Sequence, residues 1–220
     1  MEKYYEILAG NPLFAGIDRE NVLAMMGCIG GHVQKAEKNQ PIFREGDPAV
    51  YVGLVLSGAV RMERADYNGN RSIIALAGAG ELFGETYACA GIPALPVSFI
   101  ADEAAQVLLM DCRRITTSCS GSCGFHHRMI QNLLRLVATR NMAYDQKIQI
   151  TSRRTTREKL LAYLHSEAKR QGSRSFVIPY DRQELADYLE VDRSGLSVEI
   201  GKLRKEGVLT CEKREFQLLS

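Results

Sequence analysis

The sequence predicts an α+β protein: an N-terminal β roll, then one long helix, then a C-terminal winged helix-turn-helix. Three observations carry this. Short apolar runs broken by turn residues fill positions 33 to 110, a spacing that suits a closed β structure of the roll or jelly-roll kind. Helical period takes over at Phe125 and persists to about Ile150. Positions 180 to 207 then hold two short helices, each with its own cap, around the bend Glu190-Val191. The expected domains are 1–124 for the roll, 125–151 for the long helix and 152–220 for the winged helix-turn-helix.

In order, Leu8, Leu13, Phe14, Ile17, Val22, Leu23 and Met25 read as the inner side of short helices, interrupted at Asn11-Pro12 and restarted at Asp18. Pro41-Ile42-Phe43 precedes the turn Glu45-Gly46-Asp47-Pro48. An apolar run from Val52 to Leu56 ends at Ser57-Gly58, and Val60-Arg61-Met62 alternates after it. Asn68-Gly69 is a hairpin signal between strands at 61–65 and 71–76. Turns at Gly78-Ala79-Gly80 and Gly91-Ile92-Pro93 lead to strands at 97–101 and 106–110.

In the long helix, Ile130, Leu133, Val137, Asn141, Tyr144 and Ile148 form one stripe, with Leu134 beside it. A helix of about 26 residues is roughly 39 Å long, more than one small β domain can cover. The stripe approximates a heptad seam, so it predicts a dimer coiled coil in which Asn141 fixes register. Ser152-Arg153-Arg154 is the hinge. Thr155 and Glu158 offer a capping box for a helix with Leu160, Leu161 and Leu164 inside. Arg153, Arg154 and Arg157, at its start, either reach a DNA backbone or are simply solvated. Positions 176–179 form a strand.

Asp181 and Glu184 form a second capping box, and Leu185, Ala186 and Leu189 line one face of the helix that follows. Asp192 caps the next helix, with Leu196, Ile200 and Leu203 inside and Gly207 as its C-terminal stop. Two helices around so short a bend suit a helix-turn-helix, whose second helix enters the DNA major groove. An ordinary helical hairpin would show the same pattern. The face left for a partner carries Arg193, Ser194, Ser197 and Val198. Arg193 offers a planar fork to guanine O6 and N7, and the serines can bond bases or phosphates. Val208-Leu209-Thr210 and Phe216-Gln217-Leu218 read as a two-stranded wing with Lys213 and Arg214 at its tip.

The net charge of +2 does not by itself suggest nucleic acid. Residues 151–220 hold 14 Lys/Arg against 11 Asp/Glu, or +3, which leaves −1 for the rest. No apolar run approaches the ~18 residues of a membrane span, and the first residues lack the layout of a signal peptide. Six cysteines without a secretion signal imply free thiols in a cytoplasmic protein. A metal-dependent β-roll enzyme wants several His ligands on its strands, and His32 is the only histidine before position 126, so no enzyme is expected.

"RQELADYLEVDRSGLSVEIGKLRKEGVL" resembles the DNA-reading segment of the Crp/Fnr superfamily of transcription regulators. "VGLVLSGAVRM", "GELFGE" and "RTTREKLLAYL" stand in that family's order and at its distances, so the resemblance covers nearly the whole chain. It implies a cyclic-nucleotide-binding-like roll and a homodimer on a near-palindromic operator, with RNA polymerase as a further partner. It implies DNA contacts from Arg182, Gln183, Asp192, Arg193, Ser194, Gly195, Ser197, Val198, Lys202 and Lys213. Relatives commonly carry Glu where this chain has Ser194 and Arg where it has Val198, so a divergent operator is expected.

The resemblance also implies a small effector held by Phe83, Gly84, Glu85, Thr86, Leu95, Pro96 and Val97. Cyclic-nucleotide-binding members follow the Gly-Glu pair, ten residues on, with an Arg-Ser pair that grips phosphate. This chain keeps Gly84-Glu85 but has Leu95-Pro96, so the expected effector is unknown and not cyclic AMP. Arg61 or Arg71 would have to turn inward to replace the lost guanidinium. Relatives with iron–sulfur clusters carry several N-terminal cysteines, whereas only Cys28 is present here. Cys119 and Cys123, or His126 and His127, are the candidates for a redox, metal or haem response, and no metal site is assigned.

Overall fold

The chain divides into two units, Met1–Thr139 and Arg140–Ser220. The computed structural model describes residues 2–65, 71–117 and 124–219. In the first unit, helices α1 (Tyr5–Gly10) and α2 (Arg19–Cys28) precede strands β1 (His32–Ala36), β2 (Pro41–Phe43), β3 (Tyr51–Ser57), β4 (Val60–Ala65), β5 (Arg71–Ala77) and β6 (Leu82–Phe83). Helix α3 (Glu85–Ala90), strands β7 (Ser98–Ala101) and β8 (Ala105–Asp111), and helix α4 (Cys112–Thr116) follow. Helix α5 (Gly124–Thr151) then continues into the second unit.

The strands form two antiparallel four-stranded sheets, in the orders β1-β8-β3-β6 and β2-β7-β4-β5. Their residues explain the packing. Side chains alternate across a strand, and in β3 the odd and even positions are both apolar. Val52, Leu54 and Leu56 join Leu8, Phe14 and Met25 of the N-terminal helical segment, while Val55 joins Phe99 and Val97 inside the roll. Strand β8 does the same, with Leu108 and Met110 on the helical side and Val107 and Leu109 in the roll. A strand covered on both faces reads as a continuous apolar run, as the stretch from Val52 to Leu56 does.

Two buried amides tie the helical segments to one another and to the roll. Asn11 donates from Nδ2 to the Gly80 carbonyl (2.8 Å) and accepts at Oδ1 from the Leu13 N–H (2.8 Å). Asn132 on α5 donates to the carbonyls of Leu13 (3.1 Å) and Ala15 (2.9 Å). Both amides are therefore satisfied rather than stranded in apolar surroundings.

The expected roll strands are present within one or two residues of their predicted places. Strand β6 and helices α3 and α4 were not anticipated, because two to six residues are too few to show a period. The Asn68-Gly69 turn lies outside the described residues, although the strands on either side pair antiparallel, Ala65 opposite Arg71.

In the second unit, the end of α5 precedes α6 (Thr156–Gln171), β9 (Ser175–Val177), α7 (Arg182–Leu189), α8 (Arg193–Lys205), β10 (Leu209–Glu212) and β11 (Glu215–Leu218). The strands form an antiparallel sheet in the order β10-β11-β9. Leu160 and Leu164 of α6, Leu185 and Leu189 of α7, and Leu196, Ile200 and Leu203 of α8 close one core with Phe176, Phe216 and Ile150. Both predicted capping boxes form, Thr155 with Glu158 and Asp181 with Glu184.

Gly53 shows how tightly the roll is filled. A Cβ added there would lie 2.2 Å from Cζ of Phe83, whose ring packs on Phe99 at a centroid distance of 5.4 Å. Gly53→Ala should therefore destabilise the first unit by about 1–3 kcal/mol, the usual effect of overpacking. Gly53→Ala/Phe83→Leu should recover part of that loss in chemical denaturation, and equal stability of wild type and Gly53→Ala would refute the packing account.

Candidate nucleic-acid interface and effector chamber

Helix α8 presents its outward face because its inward face is committed. Leu196, Ile200 and Leu203 are buried, which turns Ser194, Ser197, Val198 and Lys205 to solvent. Val198 is 58% exposed. The Asp192 carboxylate accepts from the Gly195 N–H (2.7 Å) and so starts the helix at Arg193, which is itself exposed. Ser197 donates its hydroxyl to the Arg193 carbonyl (3.0 Å), leaving its oxygen lone pairs available. Lys205 was missed in the sequence reading, although the helical spacing 194, 198, 201, 205 could have revealed it.

The other candidates are not equivalent. Lys213 sits at the β10–β11 turn in a left-handed conformation (φ 50°), which sets the wing tip. Arg214 beside it pairs with Glu184 of α7 (3.6 Å), which holds the wing to the first helix of the motif. Arg182 lies over the Phe216 ring, 5.7 Å from its centroid, and is partly buried. Gln183 is exposed and donates to Asp187 (2.8 Å), and Lys202 pairs with Glu199 (3.5 Å).

Arg157 corrects an expectation. It is not a free cation at a helix start, because it contacts Glu199 (3.4 Å) and Glu206 (2.5 Å). The pair ties α6 to α8, and its hydrogen bonding holds the Glu206 carboxyl below its ordinary range and the guanidinium above its own.

On α5, the predicted stripe also needs correcting at one position. Leu133 is buried in the core of the first unit together with Met129. Its neighbour Leu134 is 69% exposed, and Tyr144 (61%) and Ile148 (63%) share that exposure. The outward stripe is thus Ile130, Leu134, Val137, Asn141, Tyr144 and Ile148, spaced 4, 3, 4, 3, 4, a regular heptad alternation. Leu133 and Leu134 cannot both face out, since adjacent helical residues are about 100° apart. Ile130 and Val137 are half-buried, Val137 against the same core.

In the roll, Phe83, Leu95 and Val97 belong to the interior cluster with Phe99 and Val107, whereas Pro96 is exposed. Gly84 takes a left-handed conformation (φ 76°) at the start of α3, and Glu85, just after it, is 2% exposed. The Thr86 hydroxyl stands 3.5 Å from Glu85 Oε1. The main chain of Leu95 is engaged twice: its N–H donates to the Asp47 carbonyl (2.8 Å) and its carbonyl accepts from Gly46 N–H (2.9 Å).

Arg61 does not turn inward. Its neighbours Val60 and Met62 face the roll interior, so alternation sends Arg61 to the outer face, opposite Ile100. There it bonds Glu63 (2.5 Å), Asp102 (3.0 Å) and Asn39 (2.9 Å), and its charge is spent. Strand β5 begins at Arg71, and its side chain lies outside the described residues, as do Cys119 and Cys123. His126 is buried, with Nε2 at 2.9 and 3.0 Å from the carbonyls of Arg114 and Ile115. Carbonyls only accept, so Nε2 carries a proton and is not a free haem ligand. His127 is exposed and bonds Gln131. No group of three metal-ligating side chains occurs among the described residues.

Comparison with known proteins follows these two halves. A cyclic nucleotide-binding domain model matches residues 33–119, and a Crp-like helix-turn-helix domain model matches residues 158–220. The cyclic AMP receptor protein of Thermus thermophilus is 29% identical over 224 residues, 96% of each chain. Electron transport regulator A of Shewanella oneidensis is 24% identical over 86% of this chain and 75% of its own. The crystal structure of the Thermus thermophilus catabolite activator protein superposes with a TM-score of 0.54 at 26% identity, covering 94% of this chain and 93% of its own.

The lowered Glu206 pKa makes the clamp testable. A carboxylate with a depressed folded-state pKa contributes stability above its unfolded value of 4.5 and loses it as pH falls through the folded value. Glu206→Gln should lower the thermal midpoint at neutral pH, and the gap to wild type should close as the pH drops below that value. A gap independent of pH would exclude the ion pair as its cause.

Proposed function

The chain belongs to the Crp/Fnr superfamily of transcription regulators, and from that premise we propose that it acts as a homodimer on a near-palindromic operator under the control of a small effector other than cyclic AMP. One observation carries the DNA reading: Arg193, Ser194, Ser197 and Val198 stand exposed on a helix whose opposite face is fully buried, next to a wing tipped by Lys213. In a dimer, two such helices enter successive major grooves about 34 Å apart. Arg193 reads guanine, and Val198 offers an apolar surface to a thymine methyl. The serine and valine, where relatives commonly have Glu and Arg, make the operator a divergent one. RNA polymerase is the partner that such a regulator addresses.

Dimerisation is supported by the exposed heptad stripe on α5. An isolated helix would leave Leu134, Tyr144 and Ile148 turned to water. Asn141 in the middle of the seam is a register-setting residue.

The effector reading is supported by Leu95-Pro96. Leu has no side-chain donor, its N–H is already given to Asp47, and Pro has no N–H at all. Charge-assisted hydrogen bonds contribute about 1.5–3 kcal/mol each. With about 1.4 kcal/mol per factor of ten, a phosphate deprived of a bidentate pair binds weaker by a few powers of ten. Arg61 supplies no substitute, being paired on the outer face.

Arg193→Ala should lose about 1–3 kcal/mol of discrimination at one position of each half-site while keeping salt-sensitive non-specific binding. An unchanged ratio of operator to random-DNA affinity would contradict the assignment. Tyr144→Asp should sediment as a monomer and lose operator binding, because it puts two like charges at the seam without touching a buried core; a dimeric variant would move the seam elsewhere. Calorimetry with cyclic AMP and cyclic GMP should show no micromolar binding, and micromolar binding that also tightened operator affinity would overturn the effector reading.

A further inference from the structure

Cys89, on α3, and Cys112, the first residue of α4, hold their sulfurs 3.7 Å apart without a bond between them. Cys89 is exposed, whereas Cys112 is buried in the core beneath the helices. A disulfide needs its sulfurs about 2.05 Å apart, so closure asks for a relative movement of roughly 1.7 Å. The element that has to move is suited to it. Helix α3 has six residues, lies between two left-handed glycines, Gly84 and Gly91, and exposes its last turn. We propose that Cys89 and Cys112 are a reversible thiol–disulfide site, oxidised by hydroperoxides and reduced by dithiols.

The two sulfurs have different roles. The hydrogen bond between the two sulfurs lowers the exposed Cys89 thiol below its ordinary range and raises the Cys112 thiol above its own, which favours a thiolate on Cys89. The accessible Cys89 thiolate attacks hydrogen peroxide; the O–O bond breaks, hydroxide leaves, and a sulfenic acid forms. The Cys112 sulfur then attacks Cys89 Sγ. The S–S bond forms as the S–O bond breaks, and the hydroxyl group departs with the Cys112 proton as water. Two thiols have lost two electrons, and the peroxide has become two waters. A small dithiol reverses the step by exchange.

The staple would act on the effector end of the roll. Helix α3 begins with Glu85, next to Gly84, so linking its last turn to α4 fixes the segment that the effector reading assigns to ligand. Helix α4 in turn offers the carbonyls of Arg114 and Ile115 to His126 of α5. A covalent bond between α3 and α4 therefore joins the ligand segment to the base of the long helix, all within the first unit. The site itself depends on neither DNA binding nor the identity of the effector.

The test uses the full-length reduced protein treated with hydrogen peroxide, followed by alkylation of remaining thiols, digestion and mass spectrometry. A peptide pair linked through Cys89 and Cys112, lost again with dithiothreitol, is the expected result. Cys112→Ser should halt at a sulfenic acid on Cys89, trapped by dimedone, and Cys89→Ser should give no link while its circular dichroism matches wild type. Amide exchange in α3 should slow in the oxidised wild type alone. Both cysteines still alkylated after oxidation, links confined to Cys28, Cys119, Cys123 or Cys211, or over-oxidation of Cys89 without any link would each overturn the proposal.

Discussion

The burial of both faces of strands β3 and β8 is the constraint on which the first unit depends. Because Val52, Leu54, Leu56, Leu108 and Met110 form an apolar surface on the side away from the roll, something apolar has to cover it. The N-terminal helices do part of this, and Met129 and Leu133 of α5 complete it. That docking fixes the rotation of α5 about its own axis. Once Leu133 faces the sheet, Leu134 faces water.

The second unit solves a similar problem at a helix of 13 residues. Helix α8 has its own start, its own buried stripe and a fixed position in the core. Asp192 provides the start, Leu196, Ile200 and Leu203 the stripe, and the Arg157–Glu206 and Arg157–Glu199 pairs the tie to α6. Several cations of this chain are spent in such internal pairs, among them Arg61, Arg157, Arg170 and Arg214. Exposed ion pairs contribute little individually to stability.

The roll shares this economy. Phe43, Phe83 and Phe99 pack on one another inside it, at ring distances of 5.4 to 6.3 Å. Its polar group of consequence is Glu85, at the start of a short helix behind a left-handed glycine.

The sequence by itself determined the three-part architecture and the cap, buried stripe and exposed face of α8. These are local properties: alternation, helical period and capping residues act over a few positions and leave their mark in the order of residues. It likewise exposed the loss of the phosphate-gripping pair at Leu95-Pro96, since that depends only on residue identity and distance. Tertiary structure alone decided which of Leu133 and Leu134 faces out, since adjacent apolar residues are equivalent until a sheet claims one of them. It alone sent Arg61 to the outer face, where Asp102, forty-one positions away, holds it. It engaged Arg157 with Glu199 in the middle of α8 and Glu206 just beyond its end, and it brought Cys89 within 3.7 Å of Cys112. Contacts of this kind join residues from 23 to 49 positions apart, and no periodicity records a distance that only the folded chain creates.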